Sequence, residues 1–253
     1  MDLQLTGRVV LVTGGSRGIG RAIVDGLAAE GARVAFCARG EDGVRAAESE
    51  LRDGGADVAG TAVDVADGDA VRAWVSASAE RFGQIDAVVA NVSALAIGPG
   101  EQNWRSSFEV DLMHTVHMVE AALPHLERSD AASVTAVSSV SGREIDFADG
   151  SYGVMKAALV HYVSGLAYDL AQKGIRANAV SPGNVYFDGG VWQNVEQNDR
   201  ALFDHALGLN PTGRMGAPAE TAYAVIMLVS PLASRISGAN LLADGALTRG
   251  VQL

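Results

Sequence analysis

The middle of the chain contains three side chains whose types and spacing suit proton transfer. Tyr152 and Lys156 lie four residues apart in a segment with helical apolar spacing, so both side chains are expected on one face of a helix. An ammonium one turn away stabilises a phenolate and lowers the pKa of the phenol, which suits a general acid or base. Ser139 lies thirteen residues before the tyrosine, and its hydroxyl can hydrogen-bond the oxygen that exchanges the proton. By itself, Tyr-x-x-x-Lys also occurs where the tyrosine packs and the lysine is solvated, so the rest of the chain must decide.

The elements that must position these residues alternate between short apolar runs and helices. Apolar residues recur at helical spacing in several segments, of which Gln102–Leu126 and Ser151–Gln172 are long. The alternation predicts an α/β fold, a doubly wound Rossmann-type arrangement with a seven-stranded parallel sheet flanked by helices. No linker or internal repeat interrupts it, and we predict one domain over residues 1–253. The predicted strands are Val9–Val12, Arg33–Cys37, Val58–Val65, Ile85–Ala90, Ser133–Val137, Arg176–Val180 and Asn240–Leu242.

The composition excludes several classes of protein. The 253 residues are 48% hydrophobic and 19% charged, which is typical of a folded chain. The net charge of −11 and the lack of a basic block disfavour nucleic acids and anionic membranes as partners. The N-terminus has no signal-peptide pattern, and the longest apolar runs are too short to span a membrane. We therefore expect a cytoplasmic protein.

The sequence predicts neither a disulfide nor a metal site. Cys37 is the single cysteine. His114 and His117 are three residues apart on a predicted helix, but no third ligand follows at a suitable spacing, and a helix-face or interface role is preferred. The acids Glu144 and Asp146 are interpreted as part of a solvated loop.

The turn between the first strand and the first helix has glycines where a dinucleotide site belongs. Gly14, Gly18 and Gly20 let the backbone approach a pyrophosphate, and the helix N-terminus offers free N–H groups. The alternative is a tight strand–helix turn that binds nothing. The position after the first strand of a parallel sheet favours the cofactor site.

The end of the second strand favours NADP(H) over NAD(H). An acid at this place accepts hydrogen bonds from the ribose of NAD, but Arg39 stands here instead, and Arg17 is a second cation. Two arginines suit a 2′-phosphate. Glu41 and Asp42 follow closely, and Arg39 can alternatively be solvated or stack on adenine, so NAD(H) is the second candidate.

In these motifs the chain resembles the short-chain dehydrogenase/reductase family, over nearly its whole length. The general pattern is similar to that of 3-oxoacyl-carrier-protein reductases. Five motifs occur in the family's order: Thr13–Gly20, the acid–apolar pair Asp64-Val65, Ser139, Tyr152–Lys156 and Pro182-Gly183.

The resemblance implies a role for each motif. Tyr152 would exchange a proton with the substrate oxygen while hydride moves to or from nicotinamide, Ser139 would hold that oxygen, and Lys156 would bind the nicotinamide ribose and lower the tyrosine pKa. The resemblance also implies a homotetramer, built partly from the helix pair Gln102–Leu126 and Ser151–Gln172. The implied cofactor-binding residues are Gly14, Ser16, Arg17, Gly18, Ile19, Gly20, Arg39, Asp64, Val65, Asn91, Tyr152, Lys156, Pro182, Gly183 and Val185.

Two positions depart from the family pattern. Ala90-Asn91-Val92-Ser93 replaces Asn-Asn-Ala-Gly, and Asp111 stands where the family commonly has asparagine. In the family, the residue at this position helps to hold a water leading to the lysine, so the resemblance implies that Asp111 belongs to the catalytic set. An ionised Asp111 near Lys156 would partly cancel the ammonium's field and move the pH optimum for alcohol oxidation up. The alternative is that Asp111 turns toward His114 or Thr115.

We predict that the substrate-binding end of the site is formed by a loop of about residues 184–214. In the family, the corresponding loop closes over the site. The aromatic residues of this chain's loop suit an apolar or cyclic substrate, although such residues also serve packing or subunit interfaces. The candidate substrate residues are Ser93, Ser141, Ile145, Phe187 and Trp192.

Together these features predict an enzyme, an NADP(H)-dependent carbonyl reductase or alcohol dehydrogenase. Its small-molecule substrate would be a carbonyl compound or secondary alcohol, such as a 3-oxoacyl thioester or an apolar cyclic ketone. The charge of −11 disfavours docking of an acidic carrier protein. The alternative is a non-catalytic dinucleotide-binding regulatory protein on the same fold, which would not need the Ser139, Tyr152 and Lys156 set.

Overall fold

The computed structural model describes residues 2–148 and 150–251. Within them, seven parallel strands form one sheet in the order β3-β2-β1-β4-β5-β6-β7. This confirms the predicted doubly wound fold. The strands are β1 Val9–Thr13, β2 Arg33–Ala38, β3 Val58–Ala62, β4 Ala87–Ala90, β5 Ser133–Val137, β6 Arg176–Pro182 and β7 Asn240–Ala243.

Helices cover both faces of the sheet, because side chains alternate between the faces along each strand. Val9 and Leu11 of β1 belong to one apolar core, whereas Val10 and Val12 belong to the other. The helices are α1 Gly18–Ala29, α2 Glu41–Asp53, α3 Gly68–Phe82, α4 Glu101–Ser107, α5 His114–Leu126, α6 Ser151–Leu170, α7 Val191–Asn198, α8 Arg200–Gly208 and α9 Pro218–Val229. The first core lies under α3, α5 and α6, and the second lies under α1, α2 and α9.

The structure differs from the predicted elements at three places. The long helix expected at residues 102–126 is interrupted by a π-helical turn, Phe108–Met113, between α4 and α5. The third strand ends at Ala62, because Asp64 and Val65 belong to the loop beyond it. Between residues 181 and 217 the sequence predicts one helix, Asn198–Leu207; the structure has two, α7 and α8, which meet at Asp199, and α8 corresponds to the predicted one.

The strand order changes direction between β1 and β4, whose connections lead to opposite faces of the sheet. At such a point the carboxyl ends of the strands border a crevice in which ligands bind. The chain places the glycine turn, Asn91, Ser139 and Pro182 at or just after those ends. In the part of the chain that the structure describes, no helix combines the length and apolarity needed to cross a membrane.

Candidate active site

A cavity of about 570 Å³ opens at this carboxyl edge and brings most of the predicted site residues together. Four of the predicted substrate residues line it: Ser93, Ser141, Phe187 and Trp192. Its walls also include Val63, Asp146 and Phe147, which the sequence did not single out as substrate or cofactor residues. The predicted cofactor residues on its walls are Gly14, Ser16, Arg17, Ile19, Gly20, Arg39, Val65, Asn91, Tyr152, Lys156, Pro182, Gly183 and Val185.

Four predicted residues do not line the cavity: Asp111, which is buried and is described with Lys156 below, and the three that follow. Gly18 lies beneath the Phe187 ring, where an added Cβ would approach the ring to 2.6 Å. Asp64 is exposed and accepts a hydrogen bond from the N–H of Ala66 at 3.1 Å. Ile145 is 90% exposed and does not line the cavity, because the loop turns Asp146 inward and leaves the neighbouring side chain outside.

The glycine turn has the geometry of a phosphate cradle. A Cβ on Gly20 would lie 2.0 Å from the carbonyl oxygen of Gly14, so only glycine permits this close approach of helix and turn. Arg17 precedes α1 without capping it through its side chain, which leaves the first-turn N–H groups available to an anion. The residues present therefore fit the pyrophosphate of a dinucleotide at this end of the cavity.

The two arginines at the same end differ in their contacts. Arg17 Nη1 donates to the carbonyl oxygen of Gly189 at 3.1 Å and so joins the turn to the loop after β6. Arg39 is exposed and has no ion pair with any described residue. The acids that follow it, Glu41 and Asp42, pair with Arg45 instead.

The serine, tyrosine and lysine are held together by contacts between β5 and α6. Ser138 Oγ donates to the Lys156 carbonyl oxygen at 2.9 Å, and Lys156 Nζ donates to the carbonyl oxygen of Val137 at 3.1 Å. A Cβ on Gly142 would lie 2.7 Å from the backbone nitrogen of Ala157, so the turn after Ser139 lies against the helix backbone. Lys156 is 2% exposed, and its Nζ lies 5.7 Å from the centroid of the Tyr152 ring.

Burial dominates the ionisation of the Tyr152 phenol and raises its pKa above the ordinary value. The Lys156 charge and a hydrogen bond with Ser139 lower the pKa, while the Asp111 and Asp146 carboxylates raise it. The expected net lowering was therefore wrong for this state of the protein, although the direction of the lysine's effect was right. The tyrosine is therefore protonated at neutral pH.

Asp111 lies beneath the lysine, inside the π-helical turn. Its Oδ1 is 3.2 Å from Lys156 Nζ, and both side chains are almost completely buried. Its Oδ2 accepts a hydrogen bond from the N–H of Ala94 at 3.4 Å. These contacts, and a Thr115 Oγ1 without a hydrogen-bond partner among the described residues, contradict the alternative in which Asp111 turns toward His114 or Thr115. A π-helical turn adds one residue to a helix and frequently marks functional sites.

His114 has a structural environment of its own. Its Nδ1 contacts the carbonyl oxygen of Val110, and its Nε2 lies 3.4 Å from Thr13 Oγ1. Burial lowers the pKa of His114 to about 4, so the ring is neutral. In residues 2–148 and 150–251 no group of three or more His, Cys, Asp or Glu is arranged to hold a metal ion.

A second hydroxyl and a carboxylate extend the site beyond Ser139. Ser139 Oγ donates to Ser141 Oγ at 3.2 Å, and Ser141 Oγ donates to Asp146 Oδ2 at 2.7 Å. The interpretation of Asp146 as a solvated loop residue was wrong, because its other oxygen accepts from the N–H of Ala148 at 2.8 Å and this turn directs it to the cavity. The sequence did contain a signal for this turn. An Asp side chain commonly accepts a hydrogen bond from the backbone N–H two residues further on, which here belongs to Ala148.

An aromatic wall completes the substrate end. The Phe147 and Trp192 rings meet edge to face with their centroids 5.2 Å apart. Trp192 is 5% exposed and packs in a small core with Phe203 and Met215 under α7 and α8. The cavity thus combines an apolar wall with a few polar groups, as small-molecule sites usually do.

The chain is similar in sequence to a family of known proteins. The family model described as enoyl-(acyl carrier protein) reductase matches residues 14–248. The chain is 41% identical to isoepoxydon dehydrogenase of Penicillium expansum over 98% of this chain and 97% of that protein. It is 36% identical to L-fucose dehydrogenase of Mus musculus, with 98% and 90% covered.

The fold comparison agrees with the family. The NADPH-bound structure of a short chain oxidoreductase from Pseudomonas aeruginosa PAO1 matches with a TM-score of 0.91 and 31% identity, covering 97% of this chain and 99% of that chain. The predicted family is confirmed over almost the whole length. The chain belongs to the short-chain dehydrogenase/reductase family and is an oxidoreductase that binds a nicotinamide dinucleotide and acts on a small molecule.

Proposed function

We propose that the protein is an NADP(H)-dependent dehydrogenase/reductase that interconverts a secondary alcohol and a ketone on a small cyclic substrate. The observation that carries this proposal is the placement of Ser139, Tyr152 and Lys156 on the wall of a cavity that reaches from Arg39 to Trp192. The relatives named for isoepoxydon and L-fucose support a compact cyclic substrate.

In the direction of reduction, Tyr152 is the proton donor. Its raised pKa keeps the phenol protonated, and the substrate carbonyl oxygen lies between this hydroxyl and Ser139. A nicotinamide cofactor, when bound, would supply the hydride. As the proton leaves, the phenolate is stabilised by the buried Lys156 ammonium, which Val137 and Asp111 hold in place. In the direction of oxidation, the same phenolate accepts the proton of the alcohol.

The direct screen follows oxidation of NADPH and NADH with cyclic hydroxy ketones, sugars and 3-oxoacyl thioesters. We expect turnover with NADPH and a cyclic hydroxy ketone. Turnover restricted to 3-oxoacyl thioesters would contradict the substrate class. Cofactor binding without turnover of any carbonyl compound would favour the regulatory alternative.

Arg39→Ser is expected to weaken NADPH binding about 10- to 100-fold while NADH binding changes little, because one charged hydrogen-bond partner of the 2′-phosphate is lost. The freedom of Arg39 from the acids that follow it supports this role. Dissociation constants are measured by nicotinamide fluorescence. Arg128→Ser, which removes the same charge at the end of α5, is the control. Equal effects of Arg39→Ser on both cofactors would contradict an NADP(H) preference.

Asp111→Asn is expected to move the pH–rate profile to lower pH. The Asp111 carboxylate raises the pKa of Tyr152, so its neutralisation lowers that pKa. Reduction needs the protonated phenol and is lost as pH rises through the pKa; oxidation needs the phenolate and is gained there. In plots of kcat/KM against pH, the fall of reduction and the rise of oxidation should therefore both move to lower pH. An unchanged apparent pKa would contradict the electrostatic effect of Asp111.

The homotetramer stays a prediction, as do the cytoplasmic location, the single-domain organisation and the role of residues 184–214 as a substrate loop. The predicted interface helices do present apolar side chains to solvent in the monomer. Tyr168 on α6 is 85% exposed, and Trp104, Phe108 and Val154 are about half exposed. A second copy that covered these side chains would remove them from water.

A further inference from the structure

The hydrogen bonds beyond Ser139 run in one direction. A carboxylate only accepts, so the single proton of the Ser141 hydroxyl is committed to Asp146. Ser141 Oγ then accepts the proton of Ser139, and the N–H of Ser141 donates to Ser139 Oγ at 3.1 Å. In this arrangement Ser141 Oγ competes with the Tyr152 oxygen and with a substrate carbonyl for the single proton of Ser139.

Asp146 is the group that fixes this direction, and it has the features of a ligand-binding carboxylate. It is only partly buried, it lines the cavity, and no Lys or Arg among the described residues forms an ion pair with it. Two of its lone pairs accept from Ser141 and from the N–H of Ala148, and the remainder are free for a further donor. A carboxylate so placed repels anionic substrates and attracts a hydroxyl.

We propose that Ser141 and Asp146 form a subsite for a hydroxyl group on the carbon next to the reacting carbon, so that the enzyme acts on α-hydroxy ketones and vicinal diols. This inference rests on the proposed function and names its substrate class. The substrate hydroxyl donates to Asp146 in place of Ser141. Ser141 then turns its proton to the substrate, and Ser139 is released to donate to the carbonyl oxygen.

The surroundings of the subsite agree with a cyclic ring as the carrier of these hydroxyls. Phe147 follows Asp146 directly, and its edge-to-face contact with Trp192 makes an apolar wall beside the carboxylate. One face of an alicyclic ring can lie on such a wall while its hydroxyls meet Ser139 and Asp146.

The test compares NADPH-dependent reduction of 2-hydroxycyclohexanone and cyclohexanone, a pair that differs by this one hydroxyl. The wild-type protein is expected to favour the hydroxylated ketone in kcat/KM by about 10- to 100-fold, the range for a hydrogen bond to a charged group. In Asp146→Asn and Ser141→Ala the ratio should fall to within a few-fold of one. Asp25→Asn, which neutralises an exposed carboxylate on α1, is the control and should keep the wild-type ratio.

A binding measurement separates failure of this inference from failure of the proposed function. Binding of 1,2-cyclohexanediol and cyclohexanol is followed by the tryptophan fluorescence of the protein, which needs no turnover. If the wild-type protein binds the diol more tightly than cyclohexanol and Asp146→Asn abolishes this preference, the subsite is supported even if neither ketone is reduced. Two results would overturn the proposed subsite directly: a wild-type ratio near one, or an unchanged ratio in Asp146→Asn. An equal fall in kcat/KM for both ketones in Asp146→Asn would also overturn it, because that is the result of a purely structural role of Asp146.

Discussion

Tyr152→Phe is expected to lower kcat/KM for ketone reduction about 1000-fold, because a positioned general acid contributes about 10² to 10⁴ in rate. The variant keeps the ring, which is 9% exposed, and removes only the hydroxyl. Unfolding free energy should therefore change little, and NADPH should still bind. The measurement combines steady-state kinetics with cofactor fluorescence on the same preparation.

Tyr168→Phe is the matched control, since it makes the same chemical change on the same helix at a residue that is 85% exposed. It should retain wild-type kinetics. A Tyr152→Phe variant that keeps more than about a tenth of the activity would contradict a general-acid role. If the wild-type protein bound NADPH without turnover and Tyr152→Phe left its cellular function intact, the regulatory alternative would stand.

Lys156→Met is expected to lower the free energy of unfolding by about 3–5 kcal/mol, because it leaves the buried Asp111 carboxylate without its partner. The two charged atoms are 3.2 Å apart and both side chains are almost inaccessible to water. Methionine preserves much of the lysine's length and packing, so the loss reports the charge. Urea denaturation followed by circular dichroism gives the value, and kcat should fall together with stability.

The double variant Asp111→Asn/Lys156→Met separates stability from catalysis. It should recover most of the lost unfolding free energy, because no buried charge is left uncompensated, yet it should stay inactive. Lys173→Met is the exposed control: its partner Glu127 is 41% exposed, and the expected cost is at most about 1 kcal/mol. Equal costs for Lys156→Met and Lys173→Met would show that the buried pair is not ionised as described.

The sequence predicted the sheet and the main contacts of the site because both depend on local patterns. Runs such as Val9–Val12 are short and apolar at every position, which is typical of a strand covered on both faces. The spacing of Tyr152 and Lys156 then fixed their common helix face, and glycine positions fixed the turn. The strand pattern, the shared helix face and the glycine turn depend on residues close together in the sequence, so they can be predicted without knowing how distant parts of the chain pack.

The parts that the sequence did not predict depend on packing at a distance. Apolar spacing at residues 102–126 gave no sign of the π-helical turn that directs Asp111 to the lysine. The pKa of Tyr152 was misjudged because the lysine's attraction is readable from spacing, whereas burial by the completed cavity is not. Likewise, whether Ile145 or Asp146 faces the cavity is decided by a loop turn, to which the hydrogen bond from Ala148 contributes.

The most direct test of the account is the fate of the hydride. NADPH carrying deuterium at the transferable nicotinamide C4 position is incubated with 2-hydroxycyclohexanone, and the product is examined by NMR and mass spectrometry. We expect 1,2-cyclohexanediol with one deuterium on the carbon that was the carbonyl, formed in proportion to the NADPH consumed. Diol without deuterium, or NADPH that binds and is never oxidised, would contradict it.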